Sequence, residues 1–202
     1  MEKQIKAIVF DLDGTLTDTV EVWRTTLNET LALAGVPAIE RKVYVEKWWG
    51  MDGKNKIRLT TGINNKAKLD ELYKYLVSRL IENMQETTLL HKVGETIMEL
   101  RSKGLKLAVV SNSNMDVVET QMRVTGLGEH FEVFIADTEP KPSPEGINRA
   151  CESLGVSKDE AVFVGDSSYD VRAGRNAGIR TIIVEKDIPD MSELLNILKT
   201  NE

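Results

Sequence analysis

The stretch Ile5-Lys-Ala-Ile-Val-Phe10-Asp-Leu-Asp-Gly-Thr15 decides the fold. A short run of Ile, Val, Ala and Phe reads as a strand buried on both faces, and two aspartates follow it at a glycine turn. Comparable apolar runs recur at 105–110, 133–136, 161–164 and 181–184, separated by helix-length segments. Gly104, Gly155 and Gly178 each stand after a helical pattern and before one of these runs, where a helix end favours a left-handed residue. The pattern predicts an α/β fold with a doubly wound, Rossmann-like parallel sheet.

The rhythm breaks after the first strand. Residues 17–88 contain no strand-like run and show helical periodicity at 20–34, 41–48 and 66–85. In the last of these, Leu69, Leu72, Leu76, Leu80 and Met84 recur at three- and four-residue spacing. The expectation is a core domain of residues 1–16 and 89–202, with a helical cap domain of residues 17–88 inserted after the first strand.

Composition narrows the chemistry. The chain has 202 residues, with 26 Lys+Arg against 32 Asp+Glu and a net charge of -6, a balance unsuited to coating nucleic acid or an acidic membrane. One cysteine, Cys151, and two histidines, His91 and His130, leave any metal to oxygen ligands. The first residues lack the features of a secretory signal, and no apolar run approaches the roughly 20 residues that span a bilayer. The expected location is the cytoplasm.

Ligands of doubly wound sheets bind beyond the carboxyl ends of the strands, where Asp11 and Asp13 lie. An isolated Asp-x-Asp-Gly would otherwise read as a plain turn. The second core strand ends in Val109-Val-Ser-Asn-Ser-Asn114, placing Ser111 and Asn112 at a helix start suited to phosphate oxygens; for Ser113 and Asn114, helix capping is the better reading. Lys141 is fixed between Pro140 and Pro142 after the third strand. The fourth ends in Val164-Gly-Asp-Ser-Ser-Tyr-Asp170, adding Asp166 at the tip and Asp170 in the next helix's first turn, where a charge also favours the helix. The order of these residues brings them to one cleft.

In these four motifs, Asp11-Leu-Asp-Gly-Thr15, Ser111-Asn112, Lys141-Pro142 and Gly165-Asp-Ser-Ser-Tyr-Asp170, the chain resembles the haloacid dehalogenase-like (HAD) hydrolase superfamily. The likeness is to its branch of phosphoglycolate phosphatase-like and β-phosphoglucomutase-like members with a helical cap. The resemblance implies that Asp11 is a nucleophile forming an aspartyl-phosphate and that Asp13 is the acid, then the base. Mg²⁺ would be held by Asp11, the Asp13 backbone carbonyl and Asp166, with support from Asp170. Ser111, Asn112 and Lys141 would hold the phosphoryl oxygens. The implied activity is Mg²⁺-dependent hydrolysis of a small-molecule phosphate monoester. A phosphosugar mutase and a pyrophosphatase are the alternatives on the same fold, and a non-enzymatic phosphate-binding or signalling protein is the alternative class. The mutases carry a cap-hinge histidine where this chain has Val22-Trp23, which counts against that reading.

In this branch a loop after the second cap helix reaches the active site, and in this chain it corresponds to residues 48–58. Between Arg41 and Arg58 there are six basic residues and two acidic ones, a basic edge that suits an anionic substrate. Lys54, Asn55 and Trp49 are the expected specificity residues, while Lys42, Lys47 and Lys56 fit a solvated helix face equally well.

Overall fold

The computed structural model describes residues 4–199. Strand β1 (Ala7–Phe10) leads through a two-residue strand, β2 (Thr17–Asp18), into four helices. These are α1 (Val20–Ala32), α2 (Arg41–Lys47), α3 (Gly53–Thr61) and α4 (Lys66–Asn83), and the chain returns through β3 (Thr88–Leu89). Helix and strand then alternate: α5 (Val93–Ser102), β4 (Lys106–Val110), α6 (Met115–Val124), β5 (Val133–Ile135), α7 (Glu145–Leu154), β6 (Ala161–Gly165), α8 (Ser168–Ala177), β7 (Arg180–Ile183) and α9 (Leu194–Lys199).

Five strands form one parallel sheet in the order β5-β4-β1-β6-β7, with β1 at its centre between β4 and β6. Alternate residues of β1 face opposite layers, as the pleat requires. Ile8 and Phe10 pack in a cluster with Ile97 of α5 and Met122 of α6, while Ala7 and Val9 pack with Ile147 of α7 and Ala173 of α8. All four β1 residues are completely buried, which is why no polar residue interrupts the run. Gly155 and Gly178 end α7 and α8 at φ +67° and +68°, meeting the left-handed requirement that their placement suggested.

The inserted helices have their own apolar centre. Leu69, Leu72, Leu76 and Leu80 of α4 pack with Leu27 and Leu31 of α1, Tyr44 of α2 and Ile57 of α3. Two features depart from the sequence expectation. The segment 48–58, read as a loop, contains the start of α3, because the Asp52 side chain caps it by accepting the Asn55 N–H at 2.9 Å. The two crossings between sheet and insert are paired: Thr17 and Asp18 run antiparallel to Leu89 and Thr88. A pair only two residues long lacks the apolar run that makes a strand legible. Among the described residues, no helix is long and apolar enough to cross a membrane.

Candidate active site

Asp11 is the first residue beyond β1, and its N–H donates to Val164 O of β6 at 2.8 Å, fixing it at the centre of the sheet's carboxyl edge. The loop after β5 brings Lys141 to the same point. Its Nζ lies 2.5 Å from Asp11 Oδ1 and 2.7 Å from Asp170 Oδ1. Its backbone N–H donates to Asn112 Oδ1 at 2.7 Å, so the Asn112 amide anchors the lysine loop. Asp11, Lys141 and Asp170 are all buried. Burial pushes the Asp11 carboxyl well above the ordinary carboxylate range; Lys141 pulls it down, and Asp170 and Asp166 push it up. Burial alone would lower the Lys141 ammonium, yet Asp11 and Asp170 beside it hold it above its ordinary value.

Carboxylate oxygens of Asp11, Asp166 and Asp170 lie within 4.8 Å of one another. Three acidic groups against one lysine leave excess negative charge. Burial, followed by repulsion from Asp170, pushes Asp166 up to about 7. Asp166 Oδ1 is buried without a hydrogen-bond partner, and Oδ2 accepts from Trp49 Nε1 at 2.6 Å. A buried carboxylate oxygen without a partner, on a residue grouped with two further carboxylates, fits a hard cation with oxygen ligands. Asp170 is already engaged: Oδ1 takes the lysine, and Oδ2 accepts from the Ser167 N–H and hydroxyl in a capping box that opens α8. Gly14, at φ +82°, lets the turn after β1 pass beneath this group, since a Cβ there would stand 2.4 Å from Asp166 Oδ2.

The Asp13 carboxylate lies outside the three-carboxylate group and faces the junction between the sheet and the inserted helices. Its Oδ1 accepts from Thr19 Oγ1 at 2.7 Å, Trp23 Nε1 at 2.9 Å and Gln121 Nε2 at 3.1 Å, and its Oδ2 accepts from Ser113 Oγ at 2.8 Å. Ser113 therefore serves the site and not the helix, whose cap is Asn114. Gln121 also accepts from Thr17 Oγ1 at 2.9 Å, linking Asp13 to β2. No motif in the sequence marks Thr19, Trp23, Ser113 or Gln121 as functional.

The cap closes the other side. Asn112 Nδ2 donates to Gly50 O at 2.9 Å, so both ends of this amide hold protein groups: the lysine loop and the cap loop. Asp11, Asp13, Ser111, Asn112, Lys141, Trp49 and Lys56 line one cavity of about 20 Å³. Trp49 also borders a wider cleft of about 620 Å³ on the Asp166 side.

Of the cap residues expected to set specificity, only Trp49 reaches this cavity. Lys54 pairs with Asp70 inside the cap, and its side chain is 42% exposed. Asn55 is held within α3 by Asp52 and Arg58. Lys56, for which a solvated helix face is one of the two readings from sequence, is 3% exposed and turned inward against aromatic rings. A buried lysine among rings from distant segments leaves no trace in local sequence.

A carboxylate at the end of the central strand, a lysine bridging it to a second carboxylate, and an acidic cluster beneath a helical cap define a class of aspartate-centred α/β hydrolases. The family model described as haloacid dehalogenase-like hydrolase matches residues 8–184, and the chain belongs to that family. It is 33% identical over 184 residues to the pyrophosphatase PpaX of Bacillus velezensis, covering 89% of this chain and 83% of that one. It is 30% identical over 202 residues to the phosphoglycolate phosphatase of Aquifex aeolicus, covering 93% and 92%. Among solved structures, CbbY from Rhodobacter sphaeroides in complex with phosphate matches with a TM-score of 0.80 at 30% identity, covering 89% of this chain and 86% of that one. A mutant of the same protein has been solved with xylulose-(1,5)bisphosphate.

Proposed function

We propose that the chain is a cytoplasmic phosphatase that hydrolyses small phosphate monoesters or anhydrides with Mg²⁺, through an aspartyl-phosphate on Asp11. The observation that carries this reading is the contact of Lys141 Nζ with Asp11 Oδ1 at 2.5 Å in a cavity shared with Ser111 and Asp13. A carboxylate attacking phosphorus must meet a phosphate dianion, and the lysine offsets that repulsion. Asp11 and Asp166 are the residues that would hold Mg²⁺, which supplies charge neutralisation at the phosphoryl oxygens when bound.

An Asp11 carboxylate oxygen forms the bond to phosphorus as the bond to the leaving oxygen breaks. Asp13 gives that oxygen a proton, then takes one from the water that cleaves the acyl phosphate. Its four partners hold the Asp13 carboxylate in one orientation, and the Thr19 and Ser113 hydroxyls can each turn from donor to acceptor when it is protonated. Ser111 Oγ, which accepts the Ser113 N–H at 3.0 Å, keeps its own proton to donate to the phosphoryl group. The Asn112 side chain serves by holding the Lys141 loop. Asp170 serves by orienting Lys141 from below.

The phosphosugar mutase reading has less support. Trp23 donates to Asp13 from the cap hinge, and an indole N–H is a donor only, with no proton to exchange near neutral pH. The test is phosphate release from a panel of small phosphorylated compounds, with Mg²⁺ and with a chelator. Asp11→Asn should lower kcat by about 10⁴-fold or more with an unchanged circular dichroism spectrum. Residual turnover near the wild-type rate in this variant contradicts the reading.

A further inference from the structure

We propose that Lys56 determines specificity at this site, selecting phosphoryl compounds whose leaving group carries its own anionic oxygen close to the scissile bond. The proposal rests on the phosphatase reading above and names the substrate class that the reading leaves open.

Lys56 lies on α3 and is 3% exposed. Its Nζ stands 4.4 Å from the Trp23 ring centre, 5.2 Å from that of Tyr44 and 5.9 Å from that of Trp49. The three rings come from α1, α2 and the loop after α2, and they hold the ammonium by cation–π attraction. It donates one hydrogen bond, to Tyr44 Oη at 3.0 Å, and among the described residues it makes no ion pair. An ammonium has three donors, so two are left over in a buried setting where unused donors are costly.

The nearby carboxylates are committed elsewhere. Asp13 is held by four donors, and Asp52 caps α3 through its contacts with Asn55. A buried ammonium with no ion-pair partner and two unused donors is a place where an anion from outside gains both charge and hydrogen bonds. Lys56 lines the same cavity as Asp11, Ser111 and Lys141, which puts an anion there next to the reacting phosphoryl group. Lys141 already touches Asp11 from the core side, so the cap lysine faces the leaving group.

Because Lys56 and Asp11 line one cavity, the anion it would take lies near the scissile bond: a second phosphate joined through the bridging oxygen, or a carboxylate one carbon away from it.

The experiment uses the full chain with Mg²⁺ and three probes: inorganic pyrophosphate, phosphoglycolate and ethyl phosphate. The first two carry an anionic leaving group of different origin, and the third a neutral one of similar size. The wild type should favour one of the first two over ethyl phosphate by about 30-fold or more in kcat/KM, and whichever wins identifies the anion. Lys56→Met, close in volume to lysine, should erase that preference through KM, with a loss of about 30-fold on the favoured anionic probe and at most about threefold on ethyl phosphate. A uniform loss on all three probes would mean that Lys56 is merely structural, and an unchanged preference would exclude it from recognition; either overturns the proposal. If the variant does not fold, the wild-type ratio still decides, because equal efficiency on ethyl phosphate and the anionic probes contradicts the proposal. Hydrolysis of none of the three removes the phosphatase reading and this proposal together, whereas hydrolysis of ethyl phosphate alone removes this proposal and leaves the phosphatase reading intact.

Discussion

Lys141 and Lys56 reach one cavity from opposite halves of the molecule, both almost wholly buried, and their surroundings treat them in opposite ways. Lys141 sits between Asp11 and Asp170, which hold its ammonium above its ordinary value despite burial. Lys56 sits among Trp23, Tyr44 and Trp49, and burial lowers it to about 8, with Asp13 and Asp52 opposing from a distance. The core compensates its cation within the protein and so fixes it whether or not a ligand is present. The cap leaves its cation with unused donors, so its charge is available to whatever enters. A fixed lysine suits a step common to every substrate; an uncompensated one suits discrimination between substrates.

Substitution at the core lysine should break that contrast most visibly. Lys141→Met should lower kcat by about 10³-fold on every substrate, because the phosphoryl group loses a charged donor and Asp11 loses its partner. Phosphate-release kinetics across the substrate panel would check this, and a loss confined to one substrate would make Lys141, and not the cap lysine, the discriminating group. A smaller effect lies in the pH profile. Lys56 binds an anion as the ammonium, so kcat/KM for substrates with anionic leaving groups should fall by about tenfold per pH unit above about 8, while ethyl phosphate shows no such limb. Tyr44, the hydrogen-bond partner of Lys56, stays neutral through this range because burial raises it well above its ordinary value. Parallel profiles for the two kinds of substrate would show that both lysines act alike.

The same contrast marks what the sequence could reveal. The core lysine was legible because strand ends follow one another along the chain, and Asp11, Ser111, Lys141 and Asp166 each stand just past a recognisable apolar run. The sheet order then brings them together without further information. The cap lysine was hidden because its surroundings are tertiary: Trp23, Tyr44 and Trp49 belong to different segments, and nothing in Lys54-Asn55-Lys56 marks which side chain turns inward. Lys54 was the expected anchor, yet Asp70, sixteen residues away on α4, draws it outward. Ser113 read as a helix cap because serine before a helix ordinarily is one, and no motif marks Gln121; both reach Asp13 across about a hundred residues. Long-range polar contacts of this kind have no period and no motif.

The mechanism depends most on Asp11 becoming phosphorylated. The direct measurement is intact-protein and peptide mass spectrometry after acid quench during turnover with Mg²⁺, on the wild type and on Asp13→Asn, in which the second step is slowed. The expected result is the mass of one added phosphoryl group on the peptide carrying Asp11, accumulating in Asp13→Asn and absent from Asp11→Asn. Turnover with no phosphorylated protein at any time, or a phosphoryl group on another residue, would contradict it.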